Sequence, residues 1–136
     1  MSEPATKPTQ ERSCIKQRAQ TAATKFDLEE RTARLGESVI ALARSLKCDA
    51  VNEPLISQVV RSATSVGANY AEANGTQTRK DFKHRIGICL RECKETQHWL
   101  RMLAQANETS RQQCRSLWQE AHELTLIFGA IVRSMK

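Results

Sequence analysis

Seven basic residues stand out between positions 79 and 101: Arg79, Lys80, Lys83, His84, Arg91, Lys94 and Arg101. Lys80, His84, Arg91, Lys94 and Arg101 are spaced by threes, fours and sevens, the spacing of one helix face, and Arg79, Lys80 and Lys83 crowd its first turn. The chemistry open to such a stripe is electrostatic. Each phosphate it neutralises releases counterions, and affinity then falls steeply with salt. The helix macrodipole already makes that end positive, so cations stacked there favour a bound anion. The competing reading is a solvated face balanced by Asp81, Glu92 and Glu95.

Residue types able to do covalent or metal chemistry do not form a constellation. The histidines are His84, His98 and His122, and His84 lies nearly four turns from His98 on the same helix. Cys89 and Cys93 are one turn apart, but two thiols do not make a zinc site, and cysteine is a common small core residue. Neither a phosphate loop nor a nucleophile elbow is present. Glu95 and His98 have the Glu-x-x-His spacing of di-iron bundles, but that chemistry needs carboxylates on several helices, and the first two offer no matching set except Glu72. The expectation is a non-enzyme with no cofactor, no metal and no small-molecule substrate. Trp99 could be a core residue, an interface anchor or a base-stacking platform. Core or interface is favoured, since one tryptophan does not make a platform. Glu95 lies four residues after Arg91, a spacing that lets the two pair along the helix.

Four amphipathic helices position these residues. The 136-residue chain has a formal net charge of +6 and 4% aromatic residues. Residues 1–25 are polar, with five Lys/Arg against two Glu, and read as a basic, disordered tail; Glu11 to Ala23 could instead extend the first helix. Residues 26–136 read as the folded domain. Asp27 with Glu30 resembles a capping box opening a first helix with Leu28, Leu35, Val39, Leu42 and Leu46 on one face. Pro54 suits the first position of a second helix, which carries two adjacent stripes: Leu55, Val59, Ala63, Val66, Tyr70 and Ala73, then Ile56, Val60, Gly67 and Ala71. Gly67 inside a helix costs ~1 kcal/mol relative to alanine and calls for a packing reason. Asn74-Gly75 reads as a left-handed C-cap. Thr76 or Thr78 can cap a third helix expected over 79–106, whose apolar stripe is Phe82, Ile86, Cys89, Cys93, Leu100 and Leu103. Ser110 with Gln113 suggests a capping box for a fourth, with Cys114, Leu117, Ala121, Leu124, Phe128, Ile131 and Met135 as its seam. The fold implied is all-α, an antiparallel up-down four-helix bundle. Apolar surface beyond one stripe on helices two and four points to a homo-oligomer.

Several of these segments carry a resemblance. Arg61-Ser62-Ala63-Thr64-Ser65, Ala68-Asn69-x-Ala71-Glu72-Ala73, Asp81-Phe82, then Glu92, Glu95-Thr96 and Trp99-Leu100 occur in order. Together they resemble the four-helix-bundle proteins encoded in intervening sequences of 23S ribosomal RNA genes, over about Phe26 to Met135. The resemblance implies an all-α bundle assembling as a ring-like homopentamer, with no known enzymatic member. A related branch is the accessory variability protein of diversity-generating retroelements, a basic pentamer that binds nucleic acid and associates with a reverse transcriptase. His84-Arg85 stands where many members have a more apolar pair, and the basic tail is extra. Carried over by motif, Asn69 implies a hydrogen bond between helices, and Glu72 a cap or a pair with Arg79 or Lys80.

The functional expectation is a homo-oligomeric nucleic-acid binder for RNA or RNA–DNA, with weak sequence preference because no base-reading motif is present. Arg79, Lys80, Lys83, His84, Arg91, Lys94 and Arg101 are its candidate contacts. The alternative is a protein-interaction scaffold of the same fold whose charge is solubilising, with a reverse transcriptase as one possible partner. A cytoplasmic location is expected from the odd cysteine count without CxxC pairs, the missing secretory signal and the missing membrane span.

Overall fold

The computed structural model describes residues 20–135, with side chains from Leu28 onward. Four helices run through them: α1 (Gln20–Ser45), α2 (Asn52–Asn74), α3 (Arg79–Ala106) and α4 (Arg111–Ser134), with a 3-10 turn at Glu108–Ser110 before the last. No strand occurs among the described residues. Neighbours in sequence pack side by side, and α1 closes the bundle on α4 by a lighter contact. α3 packs extensively against both α2 and α4, so it is held on two sides.

The apolar stripes meet as the periodicity requires. Leu28, Leu35, Val39 and Leu42 of α1, and Leu46 just past its end, are buried with Val59, Ala63, Val66, Tyr70 and Ala73 of α2. Ile86, Cys89, Cys93, Leu100 and Leu103 of α3 and Cys114, Ala121, Leu124 and Phe128 of α4 complete the core. Each fully buried leucine or phenylalanine contributes ~1.5–3 kcal/mol of transfer free energy. Tyr70 and Phe128 bring their rings to 5.9 Å across the bundle. Gly67 has its packing reason: a methyl there would lie 3.4 Å from the Thr32 carbonyl of α1, and one on Gly36 of α1 would lie 3.4 Å from the Thr64 Cα. Much of the extra apolar stripe packs on the core as well, including Ile56, Val60, Trp118, Ile127 and Val132. Ile40, Val51 and Leu126 stay exposed.

The helix ends differ from the sequence reading in four places. Helix α1 runs through Asp27 from Gln20, so Asp27 does not open it; residues 1–19 of the expected tail lie outside the described residues. Helix α2 begins at Asn52, which puts Pro54 third. Its cap is Asp49, whose Oδ1 accepts from the N–H groups of Val51 at 3.1 Å and Asn52 at 2.8 Å. A proline is still tolerated there, because first-turn N–H groups have no intrahelical partner. Gly75 ends α2 with φ −94°, not left-handed, and its N–H bonds the Glu72 carbonyl at 3.0 Å. The Thr76 hydroxyl donates to the Ala73 carbonyl at 2.7 Å, so a tight right-handed turn satisfies the helix end without positive φ. Ser110 lies in the 3-10 turn and makes no side-chain cap bond.

At one end of the bundle the start of α2 and the α3–α4 connection are joined by a reciprocal amide pair. Asn52 Nδ2 donates to Asn107 Oδ1 and Asn107 Nδ2 donates to Asn52 Oδ1, both at 2.9 Å. The same amides donate to the Lys47 and Leu103 carbonyls at 2.9 and 3.0 Å. Asn52 is 2% exposed, so each bond here replaces one that water would otherwise supply. Asn107→Ala orphans a buried amide and is expected to lower unfolding free energy by ~1–3 kcal/mol in urea titrations at fixed protomer concentration. Asn52→Ala should add little more, the signature of a coupled pair.

The buried thiols give a second expectation. Burial pushes Cys89 up from the usual 9.0 to about 12, and also raises Cys93 and Cys114. Cys48 is exposed. Alkylation mapped by mass spectrometry should modify Cys48 in the folded protein and reach Cys89, Cys93 and Cys114 only after denaturation. For Cys89 the folded state keeps its proton while the unfolded thiol loses one. Its contribution to stability is therefore full below about pH 9 and lost as pH rises toward 12.

Candidate nucleic-acid interface

The third helix starts and stops where its sequence says. Thr78 is extended and its hydroxyl accepts the Asp81 N–H at 3.0 Å. The helix ends at Ala106, and the Asn107 N–H bonds the Leu103 carbonyl at 2.9 Å. Burying Ile86, Cys89, Cys93, Leu100 and Leu103 fixes which face looks outward. At about 100° per residue, the seven candidate residues fall within roughly 140° of arc on the opposite side. All seven are exposed: Arg79, Lys80, Lys83, His84, Arg91, Lys94 and Arg101. The face runs ~33 Å along the helix, at 1.5 Å per residue.

Two of the three acids expected to balance this face are drawn away from it, while Asp81 stays exposed in the first turn. Glu92 is buried, and its carboxylate accepts from Arg61 Nη1 of α2 at 3.3 Å. Glu95 is taken by Arg61 Nη2 and by the Trp99 indole N–H at 3.1 Å. Glu95 therefore pairs across helices with Arg61, not along α3 with Arg91. Arg61 reaches two carboxylates that stand three residues apart, which an in-helix partner one turn away does not match. Asn69 does bond between helices, accepting from Arg85 Nη1 at 3.1 Å while donating to the Ser65 carbonyl and hydroxyl at 2.9 Å. Glu72 pairs with Arg85 at 3.7 Å, where Arg79 or Lys80 was expected, because Arg85 points back across the α2–α3 seam. On α4, Glu120 receives Arg31 of α1 through two bonds of 2.9 Å, and Glu123 receives it at 3.0 Å.

Charge is thus sorted. Four carboxylates of α3 and α4 turn toward arginines of α1 and α2, and among the described residues none of the seven candidates forms an ion pair. Lys80, Lys83, His84 and Arg91 rim a shallow groove of about 410 Å³ over Gly87, Ile88 and Val132. Nothing lies within 4 Å of where a Gly87 Cβ would sit, so the groove is open above that residue. At the other end Arg101 meets Arg111 and Arg115 of α4 around a larger groove. Sequence reading missed these two arginines as site residues. Their one-turn spacing was a signal, but their meeting with Arg101 depends on the α3–α4 packing. Arg61 was missed in the same way, seen as a motif residue and not as the group that withdraws two acids.

Trp99 is half-buried, edge-on to His98 with centroids at 4.8 Å, and bonded to Glu95, which makes it part of the packing of this seam. Glu95 and Glu120, the carboxylates near His98 and His122, are both committed to arginines. Among the described residues no group of three or more His, Cys, Asp or Glu could hold a metal ion. No helix among them is long and apolar enough to cross a membrane.

Fold and site together define a helical bundle with one cationic outer face. The chain belongs to the 23S rRNA-intervening sequence protein family, whose sequence model matches residues 24–130. It is similar to the crystal structure of a protein of unknown function from the S23 ribosomal protein family of Bacteroides thetaiotaomicron. The two share 29% identity with a TM-score of 0.67, over 77% of this chain and 97% of that one. No curated protein matches the chain.

Removing Arg61 tests the clamp. Its side chain is 48% exposed and that of Glu92 only 12%, so the loss is dominated by an acid left buried without its partner. Arg61→Ala is expected to destabilise by ~1–3 kcal/mol in urea unfolding, at the low end where solvent reaches the site. Adding Glu92→Leu to that variant should recover part of it.

Proposed function

We propose that this protein is a non-enzymatic, homo-oligomeric nucleic-acid-binding protein whose phosphate-contacting surface is the outer face of α3. The observation that carries the reading is the sorting of charge. Seven basic residues line one exposed arc, and two of the three acids that could neutralise them, Glu92 and Glu95, are bonded to Arg61, which leaves Asp81 alone among them. The ligand class is RNA or an RNA–DNA intermediate, with weak sequence preference, since a face that contacts phosphate carries little base information. The family's description, a 23S rRNA-intervening sequence protein, supports an RNA setting. A ring of five protomers, as the resemblance implies, multiplies the cationic face about fivefold and turns modest single-site affinity into avidity. Exposed Ile40 and Leu126 offer apolar surface for such contacts. The setting proposed is cytoplasmic.

Binding of labelled single-stranded RNA and duplex DNA at ~50 and ~200 mM salt tests this. If four of the seven residues neutralise phosphates, single-strand affinity falls roughly 50-fold across that range. Changing Arg79, Lys80, Lys83 and Arg91 together to alanine is expected to abolish most binding and flatten the salt slope. No binding at ~50 mM overturns the proposal in favour of a protein scaffold. Binding lost only when residues 1–19 are deleted moves the site off α3.

A further inference from the structure

The groove at the far end of the cationic face has a composition that phosphate binding alone does not explain. Steps of three and four residues put Arg111, Arg115 and Trp118 on one side of α4, and Arg101 and Ala104 approach from α3. The groove measures about 700 Å³, within the range that holds small ligands. Its floor is apolar: Leu100 is buried, and Ala104 and Trp118 are half-buried. Its rim carries three guanidinium groups, and among the described residues none of them forms an ion pair. Arg111 donates through Nε to the Ala104 carbonyl at 3.4 Å, which leaves its terminal nitrogens for a ligand. The first turn of α4 has no acidic residue, and the Ser110 side chain makes no cap bond, so the helix dipole adds to the same positive potential. The Trp118 ring is held by stacking on His122, with centroids 5.0 Å apart and planes 12° apart.

An aromatic wall, an apolar floor and three unpaired guanidiniums fit a ligand that is planar and apolar on its faces and anionic at its edge. We infer that this groove binds a nucleotide unit of single-stranded nucleic acid, its base against Trp118 and its phosphates held by Arg101, Arg111 and Arg115. The inference rests on the nucleic-acid reading of α3 and adds strand selectivity to it. A duplex keeps its bases stacked on each other and presents phosphates, so it gains nothing from Trp118. A single strand can use both.

Free nucleotides carry the same chemistry, so the experiment separates them from a strand. In a Trp99→Phe protein Trp118 is the sole tryptophan. Its emission is expected to change as a uridine RNA of about 12 nucleotides binds, along the same curve as the anisotropy of the labelled RNA. Arg111→Gln with Arg115→Gln, both near the surface, is expected to weaken single-strand binding about tenfold or more and duplex binding much less. Emission that stays constant while anisotropy shows RNA bound overturns the inference. So does an equal loss of single-strand and duplex affinity in the double variant, which marks the arginines as general cations. Uridine monophosphate binding as tightly as the RNA makes this a free-nucleotide site and overturns the strand assignment. The α3 alanine variant keeps the two readings apart. If it loses salt-sensitive binding while Trp118 in the parent never responds, the phosphate face stands and the groove does not.

Discussion

Arg61 holds Glu92 and Glu95 on the inner side of α3, and the electrostatic character of the molecule follows from that contact. Without it, two carboxylates would project among Arg91, Lys94 and His98 and cancel part of the outer face. Glu92 is 9% exposed, a burial that a carboxylate tolerates only beside a hydrogen-bonded cation. Next to it, the Thr96 hydroxyl lies 2.9 Å from that of Ser62 and donates to the Glu92 carbonyl at 2.8 Å. The α2–α3 seam is therefore polar at its middle and apolar on either side. Polar partners of this kind have one geometry, so sliding α3 by a turn would orphan several of them at once.

The same device recurs on the other side of the bundle. Arg31 of α1 takes both Glu120 and Glu123 of α4. In each case one arginine of the first helical pair neutralises two acids of the second. A formal net charge of +6 is modest for the whole chain. Its distribution matters more: four acids of α3 and α4 are paired with arginines of α1 and α2, and the seven cations of α3 face out. Local potential, not total charge, sets attraction at the range of a Debye length, ~8–10 Å at physiological salt.

The element that carries the site is also the best supported. Helix α3 is packed on two sides, capped by Thr78 at its start, and tied at its end through Asn107 to Asn52. Helix α1 is held differently, by close backbone approach to α2 at Gly36 and Gly67 and by the Arg31 bridge to α4. A row of cations built on a rigid helix keeps its spacing, whereas cations on a loop would lose entropy on engaging a regular phosphate backbone.

Periodicity along each helix was enough to read the fold from the chain alone. The core stripes, the outward face of α3 and both of its ends follow from spacing and from Thr78, because these depend on residues within a few turns of one another. Helix starts were less legible. Asp27 looks like a cap and lies inside α1, while Asp49 looks like the end of α1 and caps α2, because capping depends on where the chain turns and several short polar residues compete for that place. Of what crosses between helices, only the Asn69 bond was anticipated, without its partner. Spacing proposed Arg91 for Glu95, and the bundle supplied Arg61. The motif suggested a cap or a pair with Arg79 or Lys80 for Glu72, and the bundle supplied Arg85. The meeting of Arg101 with Arg111, Arg115 and Trp118 is of the same kind. By itself the sequence determined four amphipathic helices and a cationic stripe, since a side chain's place on a helix is set by 3.6 residues per turn. Only the tertiary structure decided which acids leave that stripe and which grooves flank it, since those depend on the rotation and offset of one helix against another.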